Sequence, residues 1–204
     1  VVLVVGAEQL THPVKARSFA ALATAVDLGP VGDPTPDNDG GRSPLMDLYA
    51  ARSRAYMAAS GATAEDGAAI AVKNRRHASR NPKAQFRTPV TLEEVLDSRM
   101  IADPLRLLMC APIGDGAAAV VVTTADRARH SGRLAVAVEA CALTSNGADE
   151  HAAHPVARAA ARAYEQAGIG PEDVDVVEVH DACAPAELWI YDCLLYTSDA
   201  ADER

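Results

Sequence analysis

A histidine and an aspartate occupy the position in this sequence that is best suited to chemistry. His180 and Asp181 directly follow the apolar run Val174–Val179 and precede Pro185, where a helix can begin. The run predicts a buried strand, and functional groups collect at the carboxyl ends of strands in open α/β sheets. An imidazole there can donate a hydrogen bond to a developing oxyanion, or it can tie down loop backbone. Position alone leaves both interpretations of His180 open.

The four cysteines are the next candidates. None forms a C-x-x-C pair, so their spacing predicts neither a disulfide framework nor a structural zinc site. Cys183 precedes the helix expected near Pro185, where a helix N-terminus favours a thiolate, although a buried structural cysteine is the commoner alternative. Cys110 and Cys141 lie in apolar stretches and are expected to be core residues.

A basic segment interrupts an otherwise acidic chain. We use this name for six cations with no acidic residue between them: Lys73, Arg75, Arg76, Arg80, Lys83 and Arg87. Such a segment can hold an anionic ligand such as a phosphate-bearing cofactor. It can equally be a solvated basic face.

Other patterns point away from metal and phosphate-loop chemistry. Residues 149–154 contain acids and histidines, but the segment lacks helical support before Pro155, so no metal site is expected. Gly114-Asp115-Gly116 is too short for a phosphate fingerprint. No G-x-S-x-G sequence is present, which excludes the nucleophile elbow of α/β-hydrolases.

Composition narrows the class of protein that must position these groups. The chain has 204 residues, of which 49% are hydrophobic and 23% charged, with a net charge of −9. These values favour a globular fold over disorder, and the negative charge argues against a general nucleic-acid binder. No apolar run approaches the roughly 18 residues of a membrane span. We therefore expect a cytoplasmic α/β protein without nucleic-acid or membrane partners.

Hydrophobic periodicity predicts the elements. Strands are expected at 1–6, 117–122, 134–138 and 174–179, and helices at 45–60, 63–77, 91–96 and 156–167, with another beginning near Pro185. These elements place His180 at a junction between a strand and a helix.

Several segments, in order, resemble the thiolase superfamily, and in particular its sterol-carrier-protein-x and archaeal acetyl-CoA acetyltransferase branch. The matching segments are Ala71–Ala78, Asn81–Phe86, Met100–Leu105, Leu107–Val121 with its D-G-A-A-A-V strand, and His180-Asp181-Ala182-Cys183 in place of the branch's His-Asp-Ala-Phe. The resemblance extends over residues 1–192.

This resemblance implies a layered α/β fold of two similar halves, each with a mixed five-stranded sheet, here incomplete at both ends. Residues 1–142 would belong to the first half, including a loop domain at about 28–103, and residues 143–192 would begin the second half. Residues 193–204 resemble the translation of a sequencing-library adapter and are expected to be an artefact.

The resemblance also implies a chemistry, namely Claisen condensation or thiolysis of a 3-ketoacyl-CoA. The coenzyme A thioester is then the substrate, and no cofactor is bound permanently. His180 would form part of an oxyanion hole, Ala111 and Pro112 would lie along the pantetheine arm, and Arg75 and Arg76 would face the CoA phosphates. A homo-oligomer and, in some relatives, a zinc-ribbon/OB-fold partner are implied as well.

Departures from the family pattern leave alternatives open. The family's nucleophilic cysteine would lie before Val1 and its second catalytic cysteine after Asp192, so the chain alone is expected to be inactive. Cys183 stands where the family has phenylalanine. One alternative is a thiolase-fold retro-aldolase acting on steroid side-chain CoA thioesters, although such lyases often have tyrosine in place of His180. The other is a non-catalytic subunit that binds acyl-CoA.

Overall fold

The computed structural model of the chain describes residues 1–24, 43–145 and 154–195. Three predicted segments lie partly outside these ranges: the loop domain at 28–42, the 149–154 segment at 149–153 and the 193–204 tail at 196–204. The chain forms two compact units. Unit 1 consists of Val1–Ala7, Ala117–Val179 and the residues from Trp189 onward, and unit 2 consists of Glu8–Gly116 and His180–Leu188.

The described residues form helices and small sheets. The helices are α1 (Lys15–Ala23), α2 (Pro44–Ser60), α3 (Ala64–Ala78), α4 (Leu92–Asp97), α5 (Ala125–His130), α6 (Pro155–Ala167) and α7 (Ala186–Leu195). The strands are β1 (Val2–Gln9), β2 (Met100–Ala102), β3 (Leu105–Arg106) and β4 (Asp115–Val122). No helix in these ranges is long and apolar enough to cross a membrane.

Local capping fixes where the helices of unit 2 begin. The Thr63 hydroxyl accepts a hydrogen bond from the amide of Asp66, whose carboxylate accepts one from the Thr63 amide, so a capping box starts α3. Thr91 and Glu94 form the same reciprocal pair at α4. At the other end of α2, Gly61 adopts φ +78°, the left-handed conformation that glycine tolerates best. These helices confirm the sequence prediction.

Small side chains make the core of unit 2. Ala68 and Ala71 of α3 pack with Val95, Met109 and Ala184, all nearly inaccessible to solvent. Gly67, on the same helix, leaves room for the Pro185 ring, since a Cβ there would lie 2.8 Å from Pro185 Cγ. α3 therefore packs closely against the segment that leads into α7.

Unit 1 shows where the strand predictions were wrong. β1 and β4 are hydrogen-bonded neighbours, but residues 134–138 and 174–179 are not strands. Their side chains stand in solvent, with Leu134 99% and Val176 77% exposed. A strand needs a partner for its backbone donors and acceptors, and none of the described residues supplies one. The described residues form two two-stranded sheets rather than five-stranded ones.

We predict that Gly67→Ala destabilises the chain. The added methyl group meets a constrained proline ring in a close-packed core, which costs about 1–3 kcal/mol, and the gain of about 1 kcal/mol in helix propensity offsets only part of this. Urea unfolding followed by circular dichroism measures the change. Gly116→Ala, where nothing lies within 4 Å of the added methyl, is the matched control. Equal midpoints for the two variants would show that α3 and Pro185 are not in close contact.

Candidate active site

A short antiparallel bridge joins two segments of unit 2 that the sequence resemblance assigns to one site. The bridge is a backbone β-bridge between Cys110 and Cys183, whose thiols are both free. The Ala111 amide donates to the Ala182 carbonyl at 3.0 Å, and the Ala184 amide donates to the Met109 carbonyl at 2.7 Å. The bridge places the Cys110–Ile113 segment beside the turn that begins with His180.

The predicted site residues near this bridge are accessible. His180, Ala111 and Pro112 are all exposed, so a ligand can reach them. The Ala111 amide is already used in the bridge, and Pro112 has no amide hydrogen. These two positions therefore offer a ligand apolar surface and carbonyl oxygens but no free backbone donor.

Behind the turn, a polar network connects α3 with the start of α7. The Asn74 side-chain amide donates to Asp181 Oδ2 and to Glu187 Oε2, both at 3.1 Å. Glu187 is 6% exposed and forms an ion pair with the Lys73 ammonium. The Lys73–Glu187 pair therefore joins α3 to the first turn of α7, and Asn74 links both to Asp181.

The surroundings of the Asp181 carboxyl disfavour its charged form. Burial is the main cause that raises its pKa, and the like charge of Glu187 raises it further. The nearby charges of His180 and Lys73 act in the opposite direction. Asp181 is thus held beside a second carboxylate, and Asn74 bridges the two acids.

The structure settles the roles of three cysteines. Cys183 is fully buried, and burial raises the pKa of its thiol to about 12, an environment that disfavours the thiolate a nucleophile needs. Burial also raises the pKa of Cys110 to about 11. Cys141 is exposed and outside any strand, so its assignment to the core was wrong, because the strand expected around it does not form.

The basic segment is divided between two kinds of environment. Lys73 is half-buried and pairs with the buried Glu187. The Arg75 guanidinium lies 4.5 Å from the centre of the Phe86 ring, a distance at which cation–π attraction acts. Arg76 is exposed, as are the three cations after it. Arg75 and Arg76 directly follow Asn74 on α3, so they lie close in sequence to the network behind the turn.

Sequence analysis missed Asn74 and Glu187. Glu187 is an isolated acid among apolar residues at the start of α7, and such an acid must find a partner when it is buried. That signal was available. Nothing in the local sequence of Asn74 indicates that it contacts residues more than a hundred positions away.

No group of three His, Cys, Asp or Glu side chains is placed to hold a metal ion in the part of the chain that the structure describes. His154 caps α6, and its neighbours at 149–153 lie outside that part.

Comparison of the chain with known proteins identifies related families and proteins. Residues 137–199 match the family model described as thiolase C-terminal domain-like. The chain is 45% identical to benzoylsuccinyl-CoA thiolase subunit BbsB of Thauera aromatica over 159 residues, which are 72% of the chain and 40% of that subunit. Over 140 residues, 66% of the chain, it is 45% identical to the acetyl-CoA acetyltransferase of Methanothermobacter thermautotrophicus, of which it covers 37%.

The chain belongs to the thiolase superfamily. Its relatives confirm the expected branch, which contains archaeal acetyl-CoA acetyltransferases and sterol carrier protein 2. The structure of the Ltp2-ChsH2(DUF35) aldolase matches with a TM-score of 0.65 at 27% identity, covering 86% of this chain and 46% of that one. The α/β, thiolase-like fold class is therefore confirmed, and this thiolase-superfamily chain spans less than half the length of the relatives that it matches.

We predict that the cysteines differ in their reaction with iodoacetamide. In the folded chain Cys141 should be alkylated first, because it is exposed, whereas Cys183 should stay unmodified, because it is buried and protonated. Peptide mapping by mass spectrometry after timed labelling measures both rates, and labelling in concentrated guanidinium chloride is the control. Alkylation of Cys183 in the folded chain as fast as that of Cys141 would contradict its buried position.

Proposed function

We propose that this chain carries part of the active site of a CoA-dependent acyltransferase of the acetyl-CoA acetyltransferase or 3-ketoacyl-CoA thiolase type. The supporting observation is the bridge between Met109–Ala111 and Ala182–Ala184. It brings together the segment assigned to the pantetheine arm and the turn assigned to the oxyanion hole.

His180 is the proposed catalytic residue. Its imidazole donates a hydrogen bond to the thioester oxygen as negative charge develops there, which lowers the barrier to carbon–carbon bond formation or cleavage. Ala111 and Pro112 contact the pantetheine arm through their apolar surfaces and carbonyls. Arg75 and Arg76 pair with CoA phosphates, a task for which the planar guanidinium is well suited.

The catalytic cysteines are proposed to lie outside these 204 residues. The burial and raised pKa of Cys183 support this, as does the coverage of 40% of the thiolase subunit from Thauera aromatica. We therefore propose a fragment of a longer cytoplasmic enzyme of lipid metabolism. That enzyme would act as a homo-oligomer and could recruit a zinc-ribbon/OB-fold partner.

A second candidate is retro-aldol cleavage of a steroid side-chain CoA thioester. The structural similarity to the Ltp2-ChsH2(DUF35) aldolase favours it. His180 argues for the acyltransferase, since tyrosine is frequent at this position in such lyases. A non-catalytic acyl-CoA-binding subunit is the third candidate, and a turnover assay of a longer protein that includes the proposed catalytic cysteines separates it from the enzymes.

We predict that the chain binds acetoacetyl-CoA in a salt-sensitive manner. Arg76→Ala should weaken binding about tenfold at low salt, because it removes a charge-assisted contact to phosphate. Isothermal titration calorimetry measures this, with Arg127→Ala, an exposed arginine on α5, as the matched control. Equal affinity of the two variants would contradict the phosphate assignment, and undetectable binding by the unmodified chain would contradict the proposed function.

The same preparation tests turnover. We expect no release of acetyl-CoA from acetoacetyl-CoA and free CoA above the level of His180→Ala. Turnover above that level would show that the chain contains its own nucleophile. A steroid side-chain CoA thioester, cleaved where acetoacetyl-CoA is not, would favour the lyase.

A further inference from the structure

The network behind the His180 turn brings two carboxylates close together. Asp181 and Glu187 share the side-chain amide of Asn74, and Glu187 also pairs with the Lys73 ammonium. Two neighbouring carboxylates, one half-buried and one buried, are unfavourable unless their oxygens receive hydrogen bonds. Asn74 supplies these, since its two amide hydrogens go to one oxygen of each acid.

The geometry gives each member a distinct task. Lys73 and Asn74 are neighbours on α3, and both reach Glu187 in the first turn of α7. Glu187 is thereby fixed against α3, and it accepts one of the two Asn74 hydrogens. The other hydrogen goes to Asp181, the residue next to His180. The Asn74 amide thus links α3 and Glu187 to the exposed turn.

We infer that Asn74 is a positioning residue, whose side-chain amide, oriented by the Lys73–Glu187 pair, fixes Asp181 and thereby the direction in which His180 faces the acyl-CoA. This inference rests on the proposed function of His180. An asparagine suits the task because it donates two hydrogen bonds without adding charge. Aspartate at this position would place a third carboxylate beside two others, and alanine would leave both acids without their shared donor.

The titration of Asp181 tests the network independently of any ligand. The charged groups that face this carboxyl are Glu187, His180 and Lys73. Asn74→Ala removes a hydrogen bond to the ionised form and should raise the pKa of Asp181 further. Glu187→Gln removes a like charge and should lower it. Carboxyl-carbon NMR of the full chain, labelled at aspartate, measures both shifts against unmodified protein.

Opposite shifts in the two variants support the inference, because a general loosening of the fold would move Asp181 in one direction in both. An unchanged Asp181 titration in Asn74→Ala would overturn it. Asn81→Ala, the same substitution in an exposed turn beyond α3, is the matched control and should leave the titration unchanged. If the single Glu187 variant does not fold, Lys73→Gln with Glu187→Gln keeps the side chains similar in size, and it should also lower the pKa of Asp181.

Affinity for acetoacetyl-CoA links the network to the site. Asn74→Ala should weaken binding about fivefold to tenfold relative to Asn81→Ala, through the loss of a fixed His180. Opposite Asp181 shifts with equal affinity in these two variants would overturn the positioning role while leaving the network itself intact. Absence of binding in the unmodified chain would instead refute the proposed function, and with it the role assigned to Asn74 toward that ligand.

Discussion

The amides of Ala111 and Ala184 each donate a hydrogen bond across the backbone β-bridge at Cys110 and Cys183. These two bonds join the segment before β4 to the turn before α7, and each feature of the candidate site depends on that joining. The bond to the Ala182 carbonyl occupies the Ala111 amide, which therefore cannot donate to a ligand. The two bonds also hold Cys183 in the interior, where burial keeps its thiol protonated. Ala111, Pro112 and His180 remain accessible to solvent.

Charge in this site is arranged in two layers. Outside, Arg76 and the cations that follow it stand in solvent, where they can meet phosphates. Inside, Lys73 belongs to the same basic segment but pairs with the buried Glu187. The segment therefore lies in two environments, and a sequence count of cations cannot separate them, because both contain the same residue types. The partner of each cation decides its role.

Local signals could be predicted from the sequence, and non-local ones could not. The capping boxes at Thr63 and Thr91 involve residues three positions apart, so the sequence alone identifies α3 and α4. Residues 134–138 have strand composition but no pairing partner among the described residues, and no local pattern reports that. His180 was found because it follows an apolar run, whereas Asn74 contributes only through distant contacts. The family resemblance supplied the order of motifs that periodicity could not.

The backbone bridge holds the His180 turn against the Cys110–Ile113 segment. Hydrogen exchange of the Ala111 and Ala184 amides, followed by NMR, tests it most directly. If the bridge is part of the core of unit 2, both amides exchange as slowly as those of Ala68 and Ala71 in α3, through the same opening of that core. If both exchange as fast as the unpaired amides of residues 134–138, the two segments are not held together. The account of the site would then be wrong.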